Sequence, residues 1–209
     1  MRVPWCRFQL EQPNIVALPR LDNEADGRGS TGELFSAILN SPSTISHRVI
    51  VFESPASTIL NKEHSQRPWL PVPTCTVFYA LCPGLCGFGE LCHGGIQTTL
   101  LDDIGGILSV LNARLQDGLM KLDADNRWAP KGDTGMLDLS DKMFATKGLQ
   151  VQFLRPLRAP TVVQVTASVK EIADDGNSFL LSAQIKDGNS REYGRAQASW
   201  IVFRPKAKL

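Results

Sequence analysis

The chain has 209 residues, a length that fits one domain, or one domain with an appendage, and that can bury a core without disulfide bonds. Lysine and arginine together number 22 and aspartate and glutamate 21, so the formal net charge is +1. Because no long run of either sign occurs, the charge pattern argues against nucleic-acid binding. No apolar stretch approaches the roughly 20 residues of a membrane-spanning helix, so we expect a soluble globular protein.

The cysteines and the chain ends bear on the cellular compartment. Five cysteines, an odd number, favour free thiols in a reducing, intracellular setting. The first residues lack the basic-then-apolar pattern of a secretory signal. The last three, Ala207-Lys208-Leu209, differ by one residue from the Ser-Lys-Leu address that a peroxisomal import receptor recognises. We therefore expect an intracellular protein, either peroxisomal or cytoplasmic.

Residues 1–71 predict an N-terminal extension that packs on the main domain, residues 72–209. Prolines and polar residues are frequent in the extension, and its two longer connections are predicted as loops. Only two of its segments predict regular structure, a short helix at 31–39 and a strand at 48–52. We therefore expect little secondary structure before residue 72.

One strongly helical stretch dominates the middle of the chain. A strand at 74–81 and a turn-rich segment precede it, and the helix runs from residue 94 to about 115. Its apolar residues recur at spacings of four, four, three and four, which is typical of one buried helix face. These residues are Ile96, Leu100, Ile104, Ile107 and Leu111. The polar stretch 118–142 predicts a long loop.

The remainder of the chain predicts four β-strands. They lie at 146–154, 161–172, 178–186 and 192–203. Three hairpin-like connections between them predict an antiparallel meander. One strand before a long helix and four after it predict an α+β fold, in which a curved antiparallel sheet wraps around one long central helix.

The first half of the predicted helix contains the residues that indicate a catalytic site. Gly94 and Gly95 stand where the first-turn amides have no intrahelical partner, so a carbonyl oxygen that becomes anionic can approach them. At about 100° per residue, Asp103 falls beside the apolar stripe and Asp102 falls opposite it. Around Asp102 lie small or polar residues, namely Thr98, Gly105, Gly106 and Ser109. Since each interior glycine costs about 1 kcal/mol relative to alanine, we expect a substrate or a second polypeptide backbone to need this space.

The His-Gly-Gly motif with an aspartate nine positions after the histidine, followed by Thr146-Lys-Gly-Leu-Gln-Val-Gln-Phe-Leu-Arg-Pro156, resembles the hotdog-fold thioesterases. The resemblance is to the phenylacetate-type and THEM-type branch, especially its fungal relatives, and it covers residues 72–203. It implies hydrolysis of an acyl thioester on coenzyme A or a carrier protein, with neither metal nor organic cofactor. It also implies a homodimer, or a tetramer of such dimers, whose sheets join and whose active sites lie at the subunit interface.

The resemblance assigns a role to four residues. Asp102 is the catalytic carboxylate, acting as general base toward water or as nucleophile. The Gly95 amide polarises the thioester carbonyl, and His93 holds the loop and the thioester region. Thr146 orients the attacking water. Some relatives bind the carbonyl or the water with an Asn or Gln six residues before the histidine. This chain has Gly87 there, so it has one polar side chain fewer around the carbonyl.

Further candidates concern the substrate. Close approach of the thioester to the helix start makes Gly94 a candidate contact. Three basic residues near a strand end are candidates for the phosphates of coenzyme A, although solvation at the surface is the commoner role of such side chains. They are Lys147, Arg155 and Arg158.

A metal site is not predicted. Three cysteines precede or adjoin His93, but their spacing lacks the paired two-residue gaps that are typical of zinc sites. They are Cys82, Cys86 and Cys92. A nucleophilic Cys92 is equally disfavoured, because no base partner is indicated.

Two other functions stay open at this point. A non-hydrolytic hotdog enzyme of a fungal biosynthetic pathway would use Asp102 as acid or base for dehydration, decarboxylation or cyclisation. A non-catalytic acyl-binding subunit would bind a thioester without turnover. Acyl-chain identity does not follow from the residues, because the depth of the pocket depends on packing between subunits.

Overall fold

The computed structural model describes residues 3–19, 33–55, 67–118, 120 and 135–204. The C-terminal tripeptide, most of the predicted loops and the first two residues of the helix predicted at 31–39 lie outside the described residues. The elements are α1 (Pro4–Leu10), β1 (Ile15–Leu18), a π-helical turn (Leu34–Ile38), β2 (Ile45–Glu53), β3 (Thr74–Leu81), a 3₁₀ turn (Pro83–Leu85), β4 (Cys86–Phe88), β5 (Leu91–Cys92), α2 (Gly94–Gln116), β6 (Met143–Phe153), β7 (Thr161–Ile172), β8 (Ser178–Lys186) and β9 (Glu192–Phe203).

Seven of the strands form one antiparallel sheet in the order β1-β2-β3-β7-β8-β9-β6, and β4 pairs with β5 in a separate small hairpin. Helix α2 packs against five strands of the large sheet, β3, β6, β7, β8 and β9. A sheet can contact one helix through so many strands only if it curves around that helix. The predicted hotdog fold, a curved antiparallel sheet around one long helix, is therefore confirmed.

The core lies between α2 and the inner face of the sheet. Alternate residues of β7, β8 and β9 point inward and are buried, as strand geometry requires. In the predicted stripe of α2, Ile96 is only partly buried and the other four residues are buried. Leu101 and Leu108, outside that stripe, are buried as well, because the curved sheet covers more than one side of the helix. None of the helices in the described residues combines the length and the apolar character needed to cross a membrane.

The predicted meander is correct for two of its three connections. Strands β7, β8 and β9 follow one another as neighbours, but β6 pairs with β9 at the edge of the sheet and does not pair with β7. The connection from β6 to β7 is instead held by the segment before α2. Within it, Leu157 accepts a backbone hydrogen bond from Cys92 at 2.8 Å, and Ala159 donates one to Glu90 at 2.9 Å. These bonds carry the chain across the start of α2 and away from a hairpin path.

The first part of the chain extends the sheet. The strand predicted at 48–52 is longer, β2, and the shorter β1, absent from the prediction, pairs with it. Helix α1, also absent from the prediction, lies on the outer face, where Trp5 contacts Phe78 edge to face with ring centroids 5.5 Å apart. Cys6 is buried in the same cluster. Seven residues of helix and four of strand are too short to show a clear period in the sequence.

Candidate active site

Asp102 of α2 meets Thr146 of the edge strand β6. The Thr146 hydroxyl Oγ1 donates a hydrogen bond to Asp102 Oδ1 at 2.7 Å, and both residues are half-buried. The register of β6 against β9 shifts between Thr146 and Gly148, which marks a β-bulge. Bulges change the direction of a side chain, and they are frequent beside active sites. The structure thus brings together the carboxylate and the hydroxyl that the sequence singled out.

His93 and Gly95 form a second pair at the start of α2. His93 is the N-cap residue, and its ring nitrogen Nδ1 accepts a hydrogen bond from the Gly95 amide at 2.9 Å. The ring also packs on Gly87, where an added Cβ would lie 2.8 Å from His93 Cδ2. A side chain at position 87 would therefore displace the ring. Both His93 and Gly95 are exposed in the isolated chain.

The two pairs are separated along the helix. Seven residues at 1.5 Å each place Gly95 about 10 Å from Asp102 along the axis, on the same side, since seven residues are almost two turns. No side chain of one pair hydrogen-bonds to the other pair in the described residues, so the two pairs do not meet at one point of the chain. The structure joins Asp102 with Thr146 and His93 with Gly95, but it does not join all four around one point.

The space beside Gly105 and Gly106 is filled by Trp200 of β9. An added Cβ at Gly105 would lie 2.7 Å from Trp200 Cζ2, and one at Gly106 would lie 3.6 Å from Trp200 Cη2. The indole ring is buried and stacks on Phe179, with centroids 6.1 Å apart and planes at 9°. At Gly105 the prediction that a substrate or a second backbone occupies the space is therefore wrong, because an aromatic side chain of the same chain does.

Asp103, the next residue of α2, points about 100° away from Asp102 around the helix axis and meets another strand. Tyr79 of β3, fully buried, donates its hydroxyl to Asp103 Oδ2 at 3.0 Å. Burial raises the pKa of Asp103 to about 6, against the lowering effects of this hydrogen bond and of the Arg48 charge. Burial likewise raises the pKa of the Tyr79 hydroxyl well above its ordinary value, and the negative charge of Asp103 adds to this. The pair joins a partly buried carboxyl group to a fully buried phenol.

Gly94 and the two predicted arginines lie near the start of α2, whereas Lys147 lies beside Thr146. Phe153 covers Gly94, with its Cζ 3.4 Å from an added Cβ there. Lys147 is exposed on β6, one residue after Thr146. Arg155 and Arg158 line a cleft of about 320 Å³ together with Arg191, which the sequence analysis missed.

Each of the two predicted arginines of the cleft has a partner. Arg155 Nη1 donates to the Glu192 carbonyl oxygen at 2.6 Å, and Arg158 Nη1 lies 3.0 Å from Glu90 Oε2. The cleft adjoins the site, because its Leu157 accepts the backbone bond from Cys92, next to His93. Arg191 follows a turn in the sequence, and no local pattern distinguishes it from a solvated surface residue.

All five cysteines are free thiols. Cys86 and Cys92 stand opposite each other in the β4–β5 hairpin, and burial raises the pKa of the Cys92 thiol to about 11. Among the described residues, no three histidine, cysteine or acidic side chains lie close enough together to hold a metal ion.

Comparison with known proteins gives one close relative and several remote ones. No model of a known protein family matches the chain. Solved structures similar to it include the PaaI protein of the phenylacetic acid degradation operon of E. coli, with a TM-score of 0.46, 13% identity and 63% and 73% of the two chains covered. A hypothetical thioesterase from Streptococcus pneumoniae, solved with coenzyme A, gives a TM-score of 0.47, 11% identity and coverage of 68% and 86%.

The close relative is Verlamelin biosynthesis protein B of Lecanicillium sp. The two sequences are 45% identical over 207 residues, which cover 99% of this chain and 88% of the relative. This similarity includes the N-terminal extension as well as the helix and the sheet that carry the site. The protein belongs to the family of Verlamelin biosynthesis protein B.

Proposed function

We propose that this protein hydrolyses an acyl thioester, with Asp102 as the general base toward water. The observation that carries the proposal is the 2.7 Å hydrogen bond from Thr146 Oγ1 to Asp102 Oδ1. It fixes one carboxylate oxygen and leaves the other able to accept a proton from water, while the hydroxyl oxygen can accept a hydrogen bond that orients the same water. Hydrolysis then needs a donor for the carbonyl oxygen, which the start of α2 supplies.

The active protein is a homodimer, or a tetramer of such dimers, with each site at the interface. The two pairs lie about 10 Å apart along the same side of α2, so within one chain a carbonyl group held by one pair has no direct contact with the other. A two-fold axis perpendicular to α2 would place the His93 pair of one subunit opposite the Asp102 pair of the other. In the described part of the chain, β6 pairs only with β9. Exposed Met143 and Phe153 on this edge strand give it apolar surface for a second sheet.

The thioester carrier is coenzyme A. Its phosphates carry several negative charges, and Arg155, Arg158 and Arg191 line one cleft that adjoins the start of α2. Guanidinium groups bind phosphate with paired hydrogen bonds, and Lys147 adds a further charge on β6. Because the net charge of the chain is only +1, recognition depends on these local residues rather than on the field of the whole protein.

A second candidate reaction is favoured by the relative. Its name refers to biosynthesis, which fits a reaction on a pathway intermediate as well as hydrolysis. In that case Asp102 would move a proton during dehydration, decarboxylation or cyclisation of a bound thioester. The mass of the product distinguishes the reactions, since hydrolysis adds water and frees a thiol.

The test is thiol release by the purified protein from butyryl-, octanoyl-, palmitoyl- and benzoyl-CoA, with Asp102→Asn measured in parallel. We expect at least one thioester to be cleaved, with free acid as the product and loss of activity in the variant. Turnover without thiol release would favour the second reaction. Binding without any turnover would favour an acyl-binding subunit.

A further inference from the structure

The amide that the family resemblance assigns to the thioester carbonyl is already engaged in this chain. Gly95 N–H donates to His93 Nδ1 at 2.9 Å. An N–H group makes one strong hydrogen bond, so this amide is not available to a carbonyl oxygen while the ring keeps its position. Position 87, where some relatives supply an amide side chain, is a glycine here. The carbonyl therefore needs another donor.

The same hydrogen bond determines which nitrogen of His93 carries a proton. Because Nδ1 accepts, the proton of the neutral imidazole is on Nε2. In the part of the chain that the structure describes, Nε2 has no hydrogen-bond partner, and the side chain is exposed beside the first turn of α2. His93 thus presents one directed N–H donor at the place where the carbonyl oxygen is expected.

Gly87 makes this ring position possible. A Cβ at position 87 would lie 2.8 Å from His93 Cδ2, closer than real Cβ contacts allow, so any side chain there would move the ring. Gly87 thus lacks the amide side chain of those relatives, and the same lack of a side chain leaves room for the imidazole ring of His93.

We propose that His93 is a catalytic residue whose Nε2–H polarises the thioester carbonyl, while the Gly95 amide holds the imidazole in place. This inference rests on the proposed thioester hydrolysis. Water attacks the carbonyl carbon, and Asp102 of the partner subunit takes its proton. The carbonyl oxygen becomes an oxyanion and accepts the hydrogen bond from His93 Nε2. When the C–S bond breaks, the carbonyl re-forms and the leaving thiolate takes the proton from Asp102 of the partner subunit, giving acid and thiol.

Two substitutions of His93 distinguish its role as the donor to the carbonyl oxygen from its role as the N-cap of α2. His93→Asn keeps a side-chain oxygen that caps the Gly95 amide, because asparagine is among the best N-cap residues, and its amide nitrogen lies about 2 Å short of the Nε2 position. His93→Ala removes both cap and donor. For both variants we expect kcat to fall about 10²-fold with KM changed less, while His93→Asn keeps the wild-type Tm. His47→Asn, a change at an exposed histidine of β2, is the matched control and should keep full activity.

The stretching frequency of the thioester carbonyl directly measures how strongly this bond is polarised. Octanoyl-CoA labelled at its carbonyl carbon is bound to Asp102→Asn protein, and the carbonyl stretch is followed by infrared difference spectroscopy. We expect a shift to lower frequency than in solution, and its loss when His93→Asn is added. Wild-type kcat in His93→Ala would overturn the inference, because it would show that the freed Gly95 amide suffices. An unshifted carbonyl in Asp102→Asn would overturn it as well.

Failure of the proposed function gives a different result. If wild-type protein releases no thiol from any thioester of the panel, hydrolysis is wrong, whereas the infrared shift and its dependence on His93 still decide whether the imidazole contacts the carbonyl. If thiol is released and His93→Asn keeps wild-type kcat, hydrolysis stands and the role of His93 is wrong.

Discussion

The two sides of α2 place adjacent carboxylates in contrasting surroundings. Asp103 faces β3, where a fully buried tyrosine donates to it and burial raises its pKa to about 6. Asp102 faces β6, the edge strand, and is held by a hydroxyl at 2.7 Å. The side of Asp103 is covered by strands of the same chain, whereas the side of Asp102 ends at the edge of the sheet.

If Asp102 is the general base, as we propose, a strongly perturbed pKa does not by itself locate the reaction. Perturbed groups cluster at active sites, but buried structural pairs are perturbed as well. Asp103 is shifted because it is buried inside one subunit with Tyr79. Asp102 lies beside β6, an edge strand of the sheet that packs against α2. Our proposal therefore places the reaction by the position of Asp102 beside the edge of the sheet and its hydrogen bond to Thr146.

The largest effect we predict tests this contrast directly. Asp102→Asn removes the general base and should lower kcat on the best thioester on the order of 10³-fold. Asp103→Asn keeps an oxygen that accepts from Tyr79 and should change kcat less than tenfold. Steady-state thiol release on both proteins gives the comparison. A larger loss in Asp103→Asn than in Asp102→Asn would reverse the assignment of the two sides.

The second effect concerns stability and pH. Asp103 has a folded-state pKa of about 6 against an ordinary value of 3.8, so between these values the folded chain keeps a proton that the unfolded chain has lost. The free energy of unfolding therefore falls as pH rises from 4 to 6, and the cost of up to about 3 kcal/mol persists above that range. The asparagine of Asp103→Asn cannot ionise, so the free energy of unfolding of this variant does not fall for this reason.

Urea unfolding of wild type and Asp103→Asn at acidic and at neutral pH measures this effect. The variant should gain stability relative to wild type as the pH rises, and effects of the other carboxylates cancel in the difference. A difference that does not depend on pH would mean that Asp103 is not desolvated as the structure indicates.

The third effect concerns the two glycines beside Asp102. In Gly105→Ala the new Cβ would meet the buried indole of Trp200, so the ring must shift, and we expect a loss of about 2 kcal/mol in the free energy of unfolding. In Gly106→Ala the nearest indole atom is 3.6 Å away, an ordinary contact, and the better helix propensity of alanine should add up to about 1 kcal/mol. Chemical unfolding of both variants is the measurement. Equal effects at both positions would mean that Trp200 does not occupy the space.

Periodic features were predictable from the sequence, and contacts across the fold were not. The bounds of β3, β7, β8 and β9 and the start of α2 agree with the predictions, because alternation, helical spacing and turn residues are local signals. The pairing of β6 with β9 depends on a loop held at Leu157, to which no local pattern refers.

The contacts of the candidate site can likewise be sorted into those that the sequence predicted and those that it could not. The hydrogen bond between Asp102 and Thr146 agrees with a resemblance that already contained the pair. Trp200 could be placed on the inner face of β9 by alternation alone, but its contact with Gly105 depends on how α2 lies against the sheet. The bond of Gly95 to His93 depends on a side-chain rotamer, which no spacing in the sequence determines.

The smallest effect concerns the hydroxyl that distinguishes the side of Asp102. Thr146→Val keeps the shape and the β-propensity of the side chain but removes the donor to the carboxylate. A hydrogen bond to a charged group contributes about 1.5 kcal/mol or more, so kcat should fall roughly tenfold or somewhat further. Thr146→Ser keeps the hydroxyl and should stay within a few-fold of wild type in the same thiol-release assay. Because both substitutions leave Asp103 and its tyrosine untouched, a matching loss in the serine variant would assign the effect to packing of β6 against α2 rather than to the hydroxyl.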